Sequence, residues 1–335
     1  MRLTSCSRAL VPTIIFGLFI ASKSFAVQAV TNAVGVIQKT ALGESDTIIS
    51  IPLKRPAVFN GVVDAYTPNL ITAAGSPGWS ADGWADGYYV FIRSGAVEGT
   101  YTMITGNGAD TLNTADVVEV AQGDSFSIHS FWTLGTLFPG GDGLNASPSH
   151  LQRDSEIFIP NSGGEGINLA AEATYYFYDS AFRQVGAALD STHDDTILYP
   201  DSYVILRNNI AGSTKVTFTG EVVMTDLSLP IMSIATGPQD NVVGLQRPIE
   251  MTLDESGLGA SLSAGDQLLV WDDSMPRQNR LASNAIVYNW NGAAWSGGTN
   301  GGADQVFTPG RGVLIRRVEG VLEEVDWSNS PNYAN

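Results

Sequence analysis

Histidines, adjacent acid pairs and one aromatic-acidic segment are the parts of this chain that could do chemistry. The densest mixture is Gly78-Trp79-Ser80-Ala81-Asp82-Gly83-Trp84-Ala85-Asp86-Gly87-Tyr88-Tyr89. Flat aromatic faces stack on sugar rings, and carboxylates accept hydrogen bonds from sugar hydroxyls; a concave site needs such a mixture. Trp79, Asp82, Trp84, Asp86 and Tyr88 are therefore the candidate ligand-binding residues. The competing reading is that Trp79 and Trp84 fold over a core, as most tryptophans do.

The other reactive groups are less specific. Acids stand side by side at Asp194-Asp195, Asp254-Glu255, Asp272-Asp273 and Glu323-Glu324. A glycosidase needs two carboxylates facing each other across a sugar, which adjacency in sequence does not provide. Asn107-Gly108-Ala109-Asp110 and Gly141-Asp142-Gly143 offer oxygen ligands, yet neither fits the twelve-residue calcium loop. His129, His150 and His193 are not paired at a metal-ligand spacing and read as surface side chains, His129 on the polar side of an alternating strand. There is no Gly-x-Ser-x-Gly elbow, no Walker phosphate loop and no Rossmann fingerprint on a βαβ unit. No catalytic residue, metal ligand or cofactor is assigned.

The elements that must position these residues are set by an internal repeat. Asp195 to Arg207 aligns with Asp304 to Arg316 without a gap. Upstream, Thr174 to Phe182 aligns with Val287 to Trp295, Asp154 to Ser162 with Asp266 to Ser274, and Leu53 to Pro56 with Leu245 to Pro248. Leu245 and Arg316 are 71 residues apart, against 154 for Leu53 and Arg207, so the first copy carries extra chain before Leu151. Arg207 and Arg316 end apolar strands at matched positions, which suits bonds to neighbouring acids or carbonyls.

Helical periodicity is scarce. Short runs of Val, Ile, Tyr and Phe alternate with Gly, Asn, Asp and Pro, the spacing of sandwiches and barrels. Asn291-Gly292 marks a hairpin. Tyr203 to Leu206 and Val313 to Ile315 are continuously apolar, as in strands covered on both faces. The expected fold is all-β: two related sandwich-like or barrel-like modules from an internal duplication, the first interrupted by an inserted β subdomain. The expected division is a signal peptide over 1–26, a first module over 27–59 and 151–225, the insertion over 60–150, and a second module over 226–335.

Arg2 and Arg8 precede an apolar stretch from Ala9 to Ala21, and Ser24-Phe25-Ala26 supplies small residues for cleavage. That reads as a cleaved secretory signal, too short to span a bilayer comfortably, with a retained membrane anchor as the rival reading. Cys6, the one cysteine, leaves with it, which fits a bacterial exported protein that relies on its core. With 34 acidic against 17 basic residues, the surface is unsuited to nucleic acid.

Several ordered features together resemble a family. They are Ser45-Asp46-Thr47 leading to Leu53-Lys54-Arg55-Pro56, then Gly123-Asp124 with Phe131 to Phe138. Later come Arg247-Pro248, Leu253 to Leu258, and Gly265-Asp266-Gln267-Leu268-Leu269-Val270. The chain is similar to uncharacterised secreted, β-rich bacterial proteins that occur as many paralogues in one genome. That resemblance implies export and a β-rich fold and supplies no catalytic residues. The sequence thus points to an exported structural or interaction protein without enzymatic activity, located in the periplasm, on the outer surface or outside the cell. The alternatives are a glycan-binding protein using the 78–89 segment and, third, a carboxylate-based glycosidase. Expected partners are a glycan or an envelope protein, with no integral membrane segment after signal cleavage.

Overall fold

A computed structural model describes residues 32–318, 320 and 323–333. The expected signal segment 1–26 lies outside them. The described chain is all-β, with many antiparallel strands and only single-turn helices. Among the described residues no helix is long and apolar enough to cross a membrane.

Two five-stranded sheets organise the molecule. In the first, the spatial order is Ala181–Gln184, Ala173–Tyr178, Ser155–Ile159, Tyr203–Asn208, Ser45–Ser50. In the second it is Trp295–Gly297, Ile286–Trp290, Gln267–Val270, Gly312–Arg317, Gln239–Gly244. Taking the strands of each sheet in chain order, both follow the same spatial sequence, with the last strand inserted between the first and second. A two-stranded ribbon lies on each sheet, Val34–Ala41 with Thr214–Glu221 and Leu227–Ser233 with Glu323–Asn329.

Alternation along the strands explains how these layers stack. In the first sheet Ile49, Val204 and Leu206 turn towards the ribbon and pack with Val216 and Phe218. Their neighbours Ile48, Tyr203 and Ile205 turn the other way and meet Leu269, Trp271, Val242 and Leu314 of the second sheet. Both faces are covered, so the strands carry continuous apolar runs. The second sheet and its ribbon enclose Leu229, Ile231, Leu268, Ile315 and Trp327.

Strand pairing refines the repeat. Ile157 stands opposite Leu206, and Leu268 opposite Ile315, so Ile157 corresponds to Leu268. The sequence alignment of Asp154 with Asp266 is therefore one residue out of step. Such a slip exchanges the two faces of a strand. At the hairpin, Gly292 takes a φ of 91°, and Trp290 faces Trp295 with ring centroids 5.1 Å apart.

The two sheets are tied by reciprocal clasps. Arg207 reaches Asp46 through Nε–Oδ1 and Nη2–Oδ2 bonds of 2.7 and 2.8 Å. Asn279, from the second sheet's 271–285 loop, donates its backbone N–H to Asp46 at 2.7 Å and accepts from Arg207. The second sheet repeats this pattern. Arg316 reaches Asp240 at 2.7 and 2.9 Å, and Asn168, from the first sheet's 160–172 loop, donates to Asp240 at 2.8 Å and accepts from Arg316. Asn279 and Asn168 both hold positive φ, 55° and 54°, a conformation that asparagine tolerates better than most residues. Each sheet's loop thus locks the other's arginine pair.

Between the first strand of the first sheet and its second lies a closed six-stranded barrel. Its strands run from Ala57 to Ser130, around Val63, Ile71, Val90, Ile104, Phe126 and Ile128. Its outer wall is also a packing surface: Tyr89, Phe91 and nearby Phe131 join the core of the second sheet and ribbon.

Candidate functional site

Trp79, Asp82, Trp84, Asp86 and Tyr88 come together as one patch at the barrel, but in a particular way. Asn107 fastens the loop: it donates its side-chain amide to Ser80 O and accepts the Trp84 N–H at 2.8 Å, while Asp82 accepts the Asn107 N–H. Asn107 is therefore engaged in a loop staple, and its amide is committed away from calcium. Trp79 meets Phe59 edge to face at 4.9 Å, Trp84 meets Trp79 at 6.4 Å, and Tyr88 meets Trp84 at 5.1 Å. The three are half-buried against the barrel core, while Asp82 and Asp86 are exposed at positive φ. Edge-to-face packing stabilises the rings against one another. Trp79→Ala and Trp84→Ala are each expected to lower stability by roughly 1.5–3 kcal/mol, below the usual figure for a fully buried aromatic. Urea titration of the two variants checks this, and unchanged midpoints would count against a packing role.

Histidine 129 corrects a sequence expectation. It is 1% exposed, not a surface residue. It does lie on the outer side of its strand, but that side is covered by Tyr89, Phe91 and the second sheet's core. Its Nδ1 lies 2.8 Å from Arg55 O, a partner that only accepts, so Nδ1 carries the hydrogen and Nε2 accepts from the Ser127 hydroxyl at 2.8 Å. A serine donating to histidine has the geometry of a nucleophile and its base. Here, however, Ser127 is also 1% exposed, and desolvation with nearby Lys54 holds the imidazole's pKa down to about 3. Such a ring is a weak base at neutral pH and is enclosed from any substrate. His150 is exposed and His193 half-buried.

The acid pairs are mostly engaged locally. Asp272 accepts from Ser274, and Asp273 forms a 2.8 Å ion pair with Lys39. Glu255 accepts from the Thr252 hydroxyl and N–H. Among the described residues no group of three or more His, Cys, Asp or Glu side chains is placed to hold a metal.

An open groove of about 540 Å³ runs between the barrel and the outer face of the Leu227–Ser233/Glu323–Asn329 ribbon. That volume is within the range of ligand-binding clefts. Asp116, Glu119, Asp201, Glu324 and Asp326 line it together with Tyr101, Phe131 and Tyr199, and among the described residues no basic residue lines it. Tyr199 is 46% exposed and packs edge to face on buried Phe131. The Tyr101 hydroxyl donates to Asp201 Oδ1 at 2.8 Å. Burial raises the Asp201 pKa, opposed by that hydrogen bond.

No family model, curated protein or solved structure matches this chain.

The groove was not visible in the sequence because its walls come from six separated stretches. One signal was present. The repeat aligns Tyr199 and Asp201 with Thr308 and Gly310, so the first copy differs where the groove lies.

Proposed function

We propose that this chain is an exported, non-enzymatic interaction protein of the envelope or extracellular space, and that the groove engages a basic segment of a partner. The observation that carries this reading is the groove's lining: five carboxylates and three aromatic rings, with no positive side chain among the described residues. Walls of one sign focus the field and favour an oppositely charged ligand. Aromatic faces add cation–π attraction for ammonium and guanidinium groups. The sequence supports export through its N-terminal pattern, and its resemblance to secreted paralogous proteins agrees with that. The shared strand order of the two sheets supports descent from a duplication, with the barrel as an insertion.

Fluorescence anisotropy with a labelled octalysine peptide tests the proposal. Saturable binding should weaken as salt rises, because exposed charges are screened. The combined variant Asp116→Asn, Glu119→Gln, Asp326→Asn should lose about tenfold in affinity, since rim charges contribute modestly each. Equal affinity in the variant would remove the groove as the site. The second reading, a glycan, is favoured by exposed Tyr199; salt-insensitive binding on a glycan array, lost in Tyr199→Ala, would select it.

A further inference from the structure

The Asn291-Gly292 hairpin tip carries chemistry of its own. An asparagine followed by glycine converts when the glycine's backbone nitrogen attacks the side-chain amide carbon, because glycine has no Cβ to obstruct the approach. The sequence holds four such pairs: Asn60-Gly61, Asn107-Gly108, Asn291-Gly292 and Asn300-Gly301. The fold treats them differently.

Asn60 and Gly61 lie inside the strand Ala57–Thr67, paired with Ser127 and Phe126, so the ladder holds both extended. Asn107 is 3% exposed; its Nδ2 donates to Ser80 O and Gly108 O, both at 2.9 Å, and the Gly108 N–H donates to Thr111 O. Leaving group and nucleophile are both engaged there. Asn300 is exposed, but its Nδ2 donates to Asp304 Oδ1 at 3.1 Å. That carboxylate opposes negative charge developing on the neighbouring amide.

Asn291 is held in another way. It and Gly292 are exposed, and among the described residues no acceptor takes the Gly292 N–H. Asn291 Oδ1 accepts the N–H groups of Ala293 at 2.9 Å and Ala294 at 2.8 Å. Two backbone donors converging on one carbonyl oxygen have the arrangement of an oxyanion hole. They polarise the amide and stabilise charge on Oδ1 as its carbon becomes tetrahedral.

We infer that Asn291 is a self-modification site, at which the chain deamidates through a cyclic imide. Hydroxide takes the Gly292 amide proton, the nitrogen bonds to Asn291 Cγ, and an electron pair moves onto Oδ1. Collapse of this intermediate breaks the Cγ–Nδ2 bond. Ammonia leaves, taking a proton from water and returning hydroxide. A water molecule then opens the imide at either carbonyl, giving aspartate or isoaspartate. Either product adds a carboxylate to the tip, and isoaspartate also adds a methylene to the backbone. That lengthening disrupts the bond from Asn291 N–H to Ala294 O and the pairing of Trp290 with Trp295, a side chain 8% exposed at the edge of the second sheet.

Peptide mapping of the full chain, incubated folded at mildly alkaline pH and in parallel in concentrated urea, tests the assignment. In the folded chain Asn291 should convert about tenfold faster than each of the other three asparagines, since exposed donors supply part of what an oxyanion hole supplies in a dry site. In urea, where only the shared Asn-Gly dipeptide remains, the four rates should converge. Asn291→Gln, whose longer side chain must close a larger ring, should show no product at this position while circular dichroism stays unchanged. The inference is overturned if Asn291 stays intact in the folded chain or if another of the pairs converts as fast. It is also overturned if the preference for Asn291 persists in urea, which would place its cause outside the fold. The hairpin does not line the groove, so none of these outcomes bears on the octalysine test.

Discussion

Arg247→Ala is expected to destabilise the protein by roughly 4 kcal/mol or more, enough to unfold much of it at physiological temperature. Arg247 is 2% exposed and follows the first strand of the second sheet. Its Nε donates to Asn329 Oδ1 at 2.8 Å, and Nη1 donates to Val223 O and Thr225 O at 3.1 Å each. Nη2 donates to Asn329 O. One guanidinium therefore holds the linker between the halves to the end of the last strand. Alanine takes this donor from Thr225 O and from Asn329, while Val223 O keeps the Tyr333 hydroxyl at 2.7 Å, and each buried group left unpaired costs about 1–3 kcal/mol. The space vacated beside the Tyr333 ring adds to the loss. Lysine restores the charge but cannot reproduce the planar fork, so Arg247→Lys should fall between wild type and alanine. Urea titration of the three proteins measures the order. A loss below about 1 kcal/mol for alanine would show that the carbonyls find other donors.

The same residue shows how much of the fold was legible. The repeat aligned Arg247 with Arg55, yet Arg55 is half-buried and donates to Phe131 O, while Arg247 is a buried anchor. Local pattern identified the arginines; which neighbour covers each depends on chain 76 residues away for Arg55 and 82 for Arg247. The all-β character was readable because alternation and turn residues act locally. The double coverage of Tyr203 to Leu206 was readable too, from its unbroken apolar run. Arg207 and Arg316 were expected to bond acids, and they do, but the reciprocal asparagines at 168 and 279 carried no signal beyond a residue that tolerates positive φ.

Burial of His129 was missed for a physical reason. Period-two alternation places Ser127 and His129 opposite Phe126 and Ile128, which was correct. Whether that second face meets water or another layer is a tertiary fact, and here the second sheet's core covers it. The candidate site divides in the same way. The 78–89 segment was visible because its residues are contiguous, and the rings of Trp79, Trp84 and Tyr88 pack on one another. The groove draws on distant strands, so composition could not reveal it.

Lys54→Met is expected to stabilise the protein near neutral pH by about 3–5 kcal/mol. Lys54 is 6% exposed, with Nζ 3.9 Å from the centre of the Phe91 ring. Desolvation is the largest influence on its amine, which falls from 10.5 to about 7; Glu221 opposes the shift and Arg93 and Arg247 add to it. A folded-state pKa below the unfolded value means the unfolded chain binds more protons between pH 7 and 10.5. Stability from this residue therefore rises with pH across that window. At or below pH 7 the full penalty of the buried ammonium is present. Methionine keeps the length and the contact with Phe91 and removes the charge. The stability difference between variant and wild type should be largest at pH 7 and close towards pH 10.5. Comparing the two proteins, and not wild type alone, cancels Lys39 and the buried tyrosines, which titrate in both. Denaturant midpoints at pH 7, 8.5 and 10 suffice. A pH-independent difference would mean that packing, not the amine's protonation, sets the effect. A destabilised variant at pH 7 would mean that the cation–π contact outweighs desolvation.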